Sequence, residues 1–262
     1  MALTAEGKAL TESHRLAQLA IAARADVVAR SLWGSLDVAD LDRSTPQWLG
    51  ANVATARRFH GESEALAAAY VGKYRAAELG SSAGAVARPG FDAAAQAQTL
   101  LLAGPVRVKL LVGKGASSDA AKSGALTKYS GMMRRQVLSG GRMLVHETTG
   151  ADTRAQGWRR VTDGDPCAFC AMLATRGPVY SSKAKADAIG GTGLRYHGHC
   201  GCTAEIVYGE WQPNEAEQGY IDVYDKAAQE ANDAGFSRTQ DSVLHRMRSN
   251  GVFRDSPLSR NK

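Results

Sequence analysis

A chain of 262 residues with 44% hydrophobic content is long enough for one large or two modest units with a real core. Aromatic residues supply only 6%, which excludes a sandwich of aromatic strands and points to a helix-rich body with thin packing, either completed against a partner or that of a thin-cored monomer. The net charge of +6 permits contact with polyanions, but no lysine or arginine run reaches the length of a basic arm, so ordinary solvated surface explains it as well.

No apolar run approaches the roughly 20 residues that span a bilayer. No signal peptide is read at Met1-Ala2-Leu3-Thr4. A protein made and kept in the cytosol is expected, where grouped cysteines hold metal more often than they pair with each other.

Taken in order, 4–36 reads as a helix, with Leu16, Leu19, Ala20, Ala23, Val27 and Ser31 at three- and four-residue steps. An acidic connector, 37–44, leads to Thr45-Pro46, a cap followed by proline at a first helical position. The second helix is expected over 46–79, stopping at Gly80. Its Trp48, Phe59, Tyr70 and Tyr74, with Arg57, Arg58, Lys73 and Arg75 between them, form either a docking face or an ordinary hairpin core.

Residues 81–90 read as a loop and 91–103 as a helix. Val106, Val108, Leu110 and Val112 fit a strand or a helical turn equally. Gly113-Lys114-Gly115 lacks the spacing of a phosphate-binding loop. A helix capped by Ser117 is expected to reach about Leu138, with Gly140-Gly141 as breaker or kink. In it Met132, Met133, Val137 and Leu144 face a partner, while Arg134, Arg135 and Arg142 face water or nucleic acid. His146 and Glu147 read as structural.

From Trp158 the character changes. A short strand, 158–162, enters Asp163-Gly164-Asp165-Pro166, a short helix covers 169–175, and a strand returns over 203–208. An extended Val179-Tyr180 and a helical turn at 183–188 lie between. Helices follow at 214–234 and 238–248, and 256–262 reads as a tail. The fold class is therefore mainly α with a small α+β zinc-knuckle-like module. The division is a helical hairpin at 1–80, a helical middle at 81–157, the Cys/His module at 158–210, and C-terminal helices at 211–262.

All four cysteines fall in that module, as Cys167-x2-Cys170 and Cys200-x-Cys202, with His197 and His199 beside the second pair. A Cys-x2-Cys turn points two thiolates at one spot and offers backbone N–H groups to the sulfurs, and zinc takes four such ligands in a tetrahedron. Cys167, Cys170, Cys200 and either Cys202 or His197 are the candidate metal ligands. The alternatives are two disulfides, buried reduced thiols, or a cysteine nucleophile with His197 or His199 as base.

Arg160-Val161-Thr162-Asp163-Gly164-Asp165-Pro166-Cys167-Ala168-Phe169-Cys170, continuing to Gly177, resembles the central signature of minor head proteins of tailed actinobacterial phages. These are similar to the Mu F-like head-morphogenesis family, in which His-x-x-Cys-x-Cys follows further along. Here that motif is His197-Gly198-His199-Cys200-Gly201-Cys202, with His199 as the departure. The resemblance implies a minor capsid component with a structural zinc ion. Its expected partners are the portal or major capsid protein and packaged double-stranded DNA. Its expected location is the host cytoplasm during assembly, then the virion.

Similar phage proteins are also described as capsid maturation proteases. No Gly-x-Ser-x-Gly and no His-Glu-x-x-His stands in this sequence, so catalytic residues are not assigned. Glu215-x-Glu217, the pair of ADP-ribosyltransferases sometimes attached to this family, reads instead as the first turn of a helix.

Overall fold

The computed structural model describes residues 2–82, 84, 86–179, 196–236 and 240–257. Helix α1 (Ala5–Trp33) starts at Thr4, whose hydroxyl accepts from the Gly7 amide at 2.9 Å. Helix α2 (Leu41–Leu79) begins earlier than Thr45-Pro46. The Asp40 carboxylate caps it by accepting from the Arg43 amide at 3.2 Å, which leaves Pro46 inside. The proline forfeits one backbone bond, a smaller loss than unravelling the turn that buries Leu41. As expected, α2 stops at Gly80, which takes the left-handed conformation.

Helices α3 (Ala93–Ala103) and α4 (Pro105–Gly113) meet at Gly104. The ambiguous valine-rich stretch is thus helical, with Pro105 at the first position and Val108 buried. Helix α5 (Ser118–Ala151) runs straight through the expected breaker. A Cβ at Gly140 would stand 2.3 Å from the His60 carbonyl oxygen, and one at Gly141 would stand 2.4 Å from Gln18 Nε2. The two glycines let α5 meet the backbone of α2 and the Gln18 side chain of α1, and this packing outweighs their poor helix propensity.

That three-helix crossing carries the main core. Trp33 stacks on Tyr129 at 4.8 Å and meets Trp48 edge-on at 5.8 Å. The Tyr129 hydroxyl donates to the Ala29 carbonyl at 3.0 Å and contacts the Asn52 side chain. The buried face of α1 is not the leucine–valine series: Leu16 is 53% and Val27 70% exposed. Alanines 22, 25 and 29 turn inward with His14 and Gln18, and Gln18 bonds the Ser63 carbonyl at 2.9 Å. Small side chains permit the close crossing, and Gln18 satisfies its amide across it, while the buried His14 Nδ1 has no hydrogen-bond partner among the described residues. The α2 aromatics are likewise inside, as an ordinary hairpin core.

Strand β1 (Gly157–Val161) pairs antiparallel with β2 (Thr203–Val207), placing Arg159 opposite Glu205. Two strands alone are marginal in water. Trp158, Ala204 and Ile206 pack with Tyr70, Tyr74, Leu144 and Val145, and the Tyr74 hydroxyl donates to the Ile206 carbonyl at 2.9 Å. Between the strands lies α6 (Ala168–Ala174), and α7 (Glu215–Asp233) and α8 (Gln240–Asn250) follow. The architecture is mainly helical with this small sheet. The expectations for residues 180–195, 237–239 and 258–262 lie outside the described residues.

Glu217 has a place no toxin motif requires. It completes a capping box with Asn214 at the start of α7 and reaches the buried Arg159, which also binds Glu205 at 2.6 Å.

Candidate metal centre

Two short segments, one after β1 and one before β2, are brought face to face by the sheet register. In the first, Cys167 caps α6, its sulfur accepting from the Cys170 amide at 3.4 Å. This is the turn expected of Cys-x2-Cys. In the second, residues 196–202 lead into β2. The five predicted donors assemble as two triads sharing Cys170: Cys167, Cys170 and His197, and Cys170, Cys200 and Cys202. The ligand atoms of each triad lie within 4.8 Å of one another.

All four cysteines are free and buried. Cys170 and Cys200 sulfurs are 3.5 Å apart. A disulfide needs about 2.05 Å, whereas sulfurs on a tetrahedral zinc with bonds of about 2.3 Å stand about 3.8 Å apart. The donor set therefore fits a metal, and the two-disulfide alternative does not fit.

His197 is already oriented. Its Nδ1 lies 2.7 Å from the Gly198 carbonyl, an oxygen that can only accept, so Nδ1 carries the proton. Nε2 is left facing Cys167 at 2.8 Å and Cys170 at 3.5 Å. His199 goes elsewhere. With φ at 64° its ring turns outward onto α5 and donates to the Thr127 carbonyl at 3.1 Å.

Hydrogen bonding from Cys170, and then from His197, pulls the Cys167 thiol down to about 5. The Cys167 contact lifts His197 to about 9. Cys200 is held well below the usual thiol range by Cys170 and Cys202, helped by the charges of Arg142 and Arg160. Cys170 is pushed up, because it donates in the bonds that lower Cys167 and Cys200. The four sulfurs share protons among themselves, the arrangement that a divalent cation replaces when thiolates become ligands.

Three residues that sequence reasoning missed line the centre. Tyr196 lies between two guanidinium groups, with Arg142 and Arg160 each 3.9 Å from its ring centroid. Arg142, expected to face water or nucleic acid, is buried. It donates to the Cys200 carbonyl at 2.8 Å and to the Cys202 carbonyl at 2.7 Å. Arg160 Nη1 stands 3.8 Å from Cys170 Sγ. Burial opposes its charge, but the Tyr196 phenol and the sulfurs of Cys170, Cys200 and Cys202 hold the guanidinium protonated. His146 stacks on Trp158 at 3.9 Å, and burial keeps it neutral.

The VG15 protein family matches residues 6–231, a span that includes all five donors. The chain belongs to the VG15 family. That family is viral, so this is a phage protein. Neither the curated proteins nor the solved structures gave a match to this member of the family. No helix among its described residues is long and apolar enough to cross a membrane.

Proposed function

We propose that this VG15 protein is a minor capsid, or head-morphogenesis, component of the Mu F-like kind, with one structural zinc ion held by four donors from Cys167, Cys170, His197, Cys200 and Cys202. The observation that carries the reading is the five-donor cluster, its four cysteines buried and His197 half-buried. It joins β1–α6 to the loop entering β2 and is backed by α5 through Arg142. A closed site of protein ligands staples a module whose sheet is too small to hold itself. The phage family and the resemblance of the cysteine motifs supply the head assignment. The portal or the major capsid protein is the proposed partner, with packaged DNA a further neighbour, and the virion is the proposed final location.

One observation favours a second reading, a cysteine-dependent capsid maturation protease. Cys167 and His197 stand 2.8 Å apart with a lowered thiol and a raised imidazole, as in a nucleophile–base pair. One experiment separates the two. Protein purified without chelator is assayed for zinc per chain and for thiol reactivity, then mixed with major capsid protein. One zinc per chain, protected thiols and uncleaved capsid protein support the staple. Metal-free protein with one fast thiol and a cleaved capsid protein sinks it.

A further inference from the structure

The chain after α8 turns back onto the metal centre. Phe253 is buried against α6, α7 and α8, which fixes the turn. From there the Arg254 amide donates to the Pro166 carbonyl at 3.1 Å. Its guanidinium donates to Asp163 at 2.9 Å, to Asp165 at 3.3 Å and to the His199 carbonyl at 3.4 Å. Next to it, Asp255 accepts from the Ala168 amide at 2.8 Å, inside the Cys167–Cys170 turn, and pairs with Arg248 at 2.7 Å. Ser256 anchors the return by donating to the Gly251 carbonyl at 2.8 Å.

One side chain thus reaches both halves of the donor set. Asp163, Asp165 and Pro166 lead directly into Cys167, and His199 stands between His197 and Cys200. The edge it bridges is the more open one. Cys167 and His197 line a surface cavity of about 440 Å³ with Arg254, Asp255 and Leu244, whereas Cys200 and Cys202 lie under Arg142. A metal ion leaves a closed site only when a ligand-bearing segment swings away, and the Cys167–His197 edge is where the two segments separate. Arg254 and Asp255 also lie beyond the span matched by the family, 6–231.

We propose that Arg254 is a positioning residue for the metal: a latch that holds the two ligand segments together and sets how slowly the ion is released. The proposal rests on the zinc reading of the cluster. Arginine suits the role because three separate nitrogens of its planar fork address two carboxylates and a carbonyl, where lysine would have to serve all three from one nitrogen.

The test uses the full-length, zinc-loaded protein challenged with excess coloured chelator, with zinc release followed in time. Arg254→Ala is expected to release zinc at least about ten-fold faster, the usual scale for outer groups that orient metal ligands. Arg254→Lys falls between the two, and Arg24→Ala, which breaks a surface pair with Glu62, matches the wild type. Helix content and melting of the main body are recorded alongside, so that release is read separately from unfolding. Should Arg254→Ala fail to fold, Asp163→Ala removes a partner and keeps the arginine, with acceleration in the same direction expected. Wild-type release rates in these variants would overturn the latch while leaving the zinc reading intact. A wild-type protein without zinc would overturn both.

Discussion

Arg142 on α5 and Cys202 at the entrance to β2 are joined by two hydrogen bonds, at 2.7 Å and 3.1 Å, from one guanidinium to one carbonyl oxygen. One support of the candidate metal centre is therefore a side chain of the helical body, not of the Cys/His module. Arg142→Met keeps the apolar stem and removes the donors, stranding the buried Cys200 and Cys202 carbonyls. A loss of about 2–4 kcal/mol is expected from a urea titration, and zinc affinity should fall together with it.

The α5 crossing gives a contrast of sign between two glycine-to-alanine changes. At Gly140 the new methyl meets the His60 backbone, which cannot swing away, so a net loss of about 2 kcal/mol is expected. At Gly61, inside α2, nothing lies within 4 Å of the added carbon, and alanine should gain about 0.5–1 kcal/mol from propensity alone. Thermal melts of the two variants should shift in opposite directions.

Acid should weaken the fold through its buried histidines. Burial lowers His14 to about 4 in the folded chain, against about 6.5 when unfolded. Below pH 6.5 the unfolded chain takes up a proton that the folded one refuses, so stability falls with pH across 6.5 to 4. The loss from this group is about 2 kcal/mol at pH 5. His60 and His146, also lowered by burial, act in the same direction. His14→Leu, which can still pack on Tyr70, should narrow the gap between melting temperatures at pH 7 and pH 5 without abolishing it.

Stripping the metal should act locally. With chelator present, amide exchange is expected to accelerate at 157–161 and 203–207 and through α6. The middle of α2 and α5, held by Trp33, Trp48 and Tyr129, should keep its protection. Exchange in these segments left unchanged by chelator would show that the module does not depend on an ion.

The donors of the metal centre were legible because cysteine spacing encodes a turn locally: Cys167 and Cys170 need only their own backbone to converge. Helix ends marked by glycine at a left-handed position, as at Gly80, were legible for the same reason. What the sequence concealed depends on long-range contact. Arg142 looked like a solvated arginine because nothing near it in sequence announces the Cys200 and Cys202 carbonyls. Gly140-Gly141 looked like a breaker because the close passage of His60 and Gln18 is a tertiary fact. The buried side of α1 was misread because its inward alanines carry less hydrophobic signal than Leu16 and Val27, which face out. Arg254 gave no signal at all, since its meaning lies in carboxylates at the opposite end of the module.

The chain order of these parts also sets an order of assembly. Helices α1, α2 and α5 all precede the first cysteine, so the platform that presents Arg142 can fold while the donors are still being synthesised. Cys167 and Cys170 emerge next, and His197, Cys200 and Cys202 complete the set. Arg254 is synthesised only after all of them. On the zinc reading, a nascent chain stalled before it would carry every candidate ligand yet lack the residue proposed to close over the open edge, so capture would come before locking.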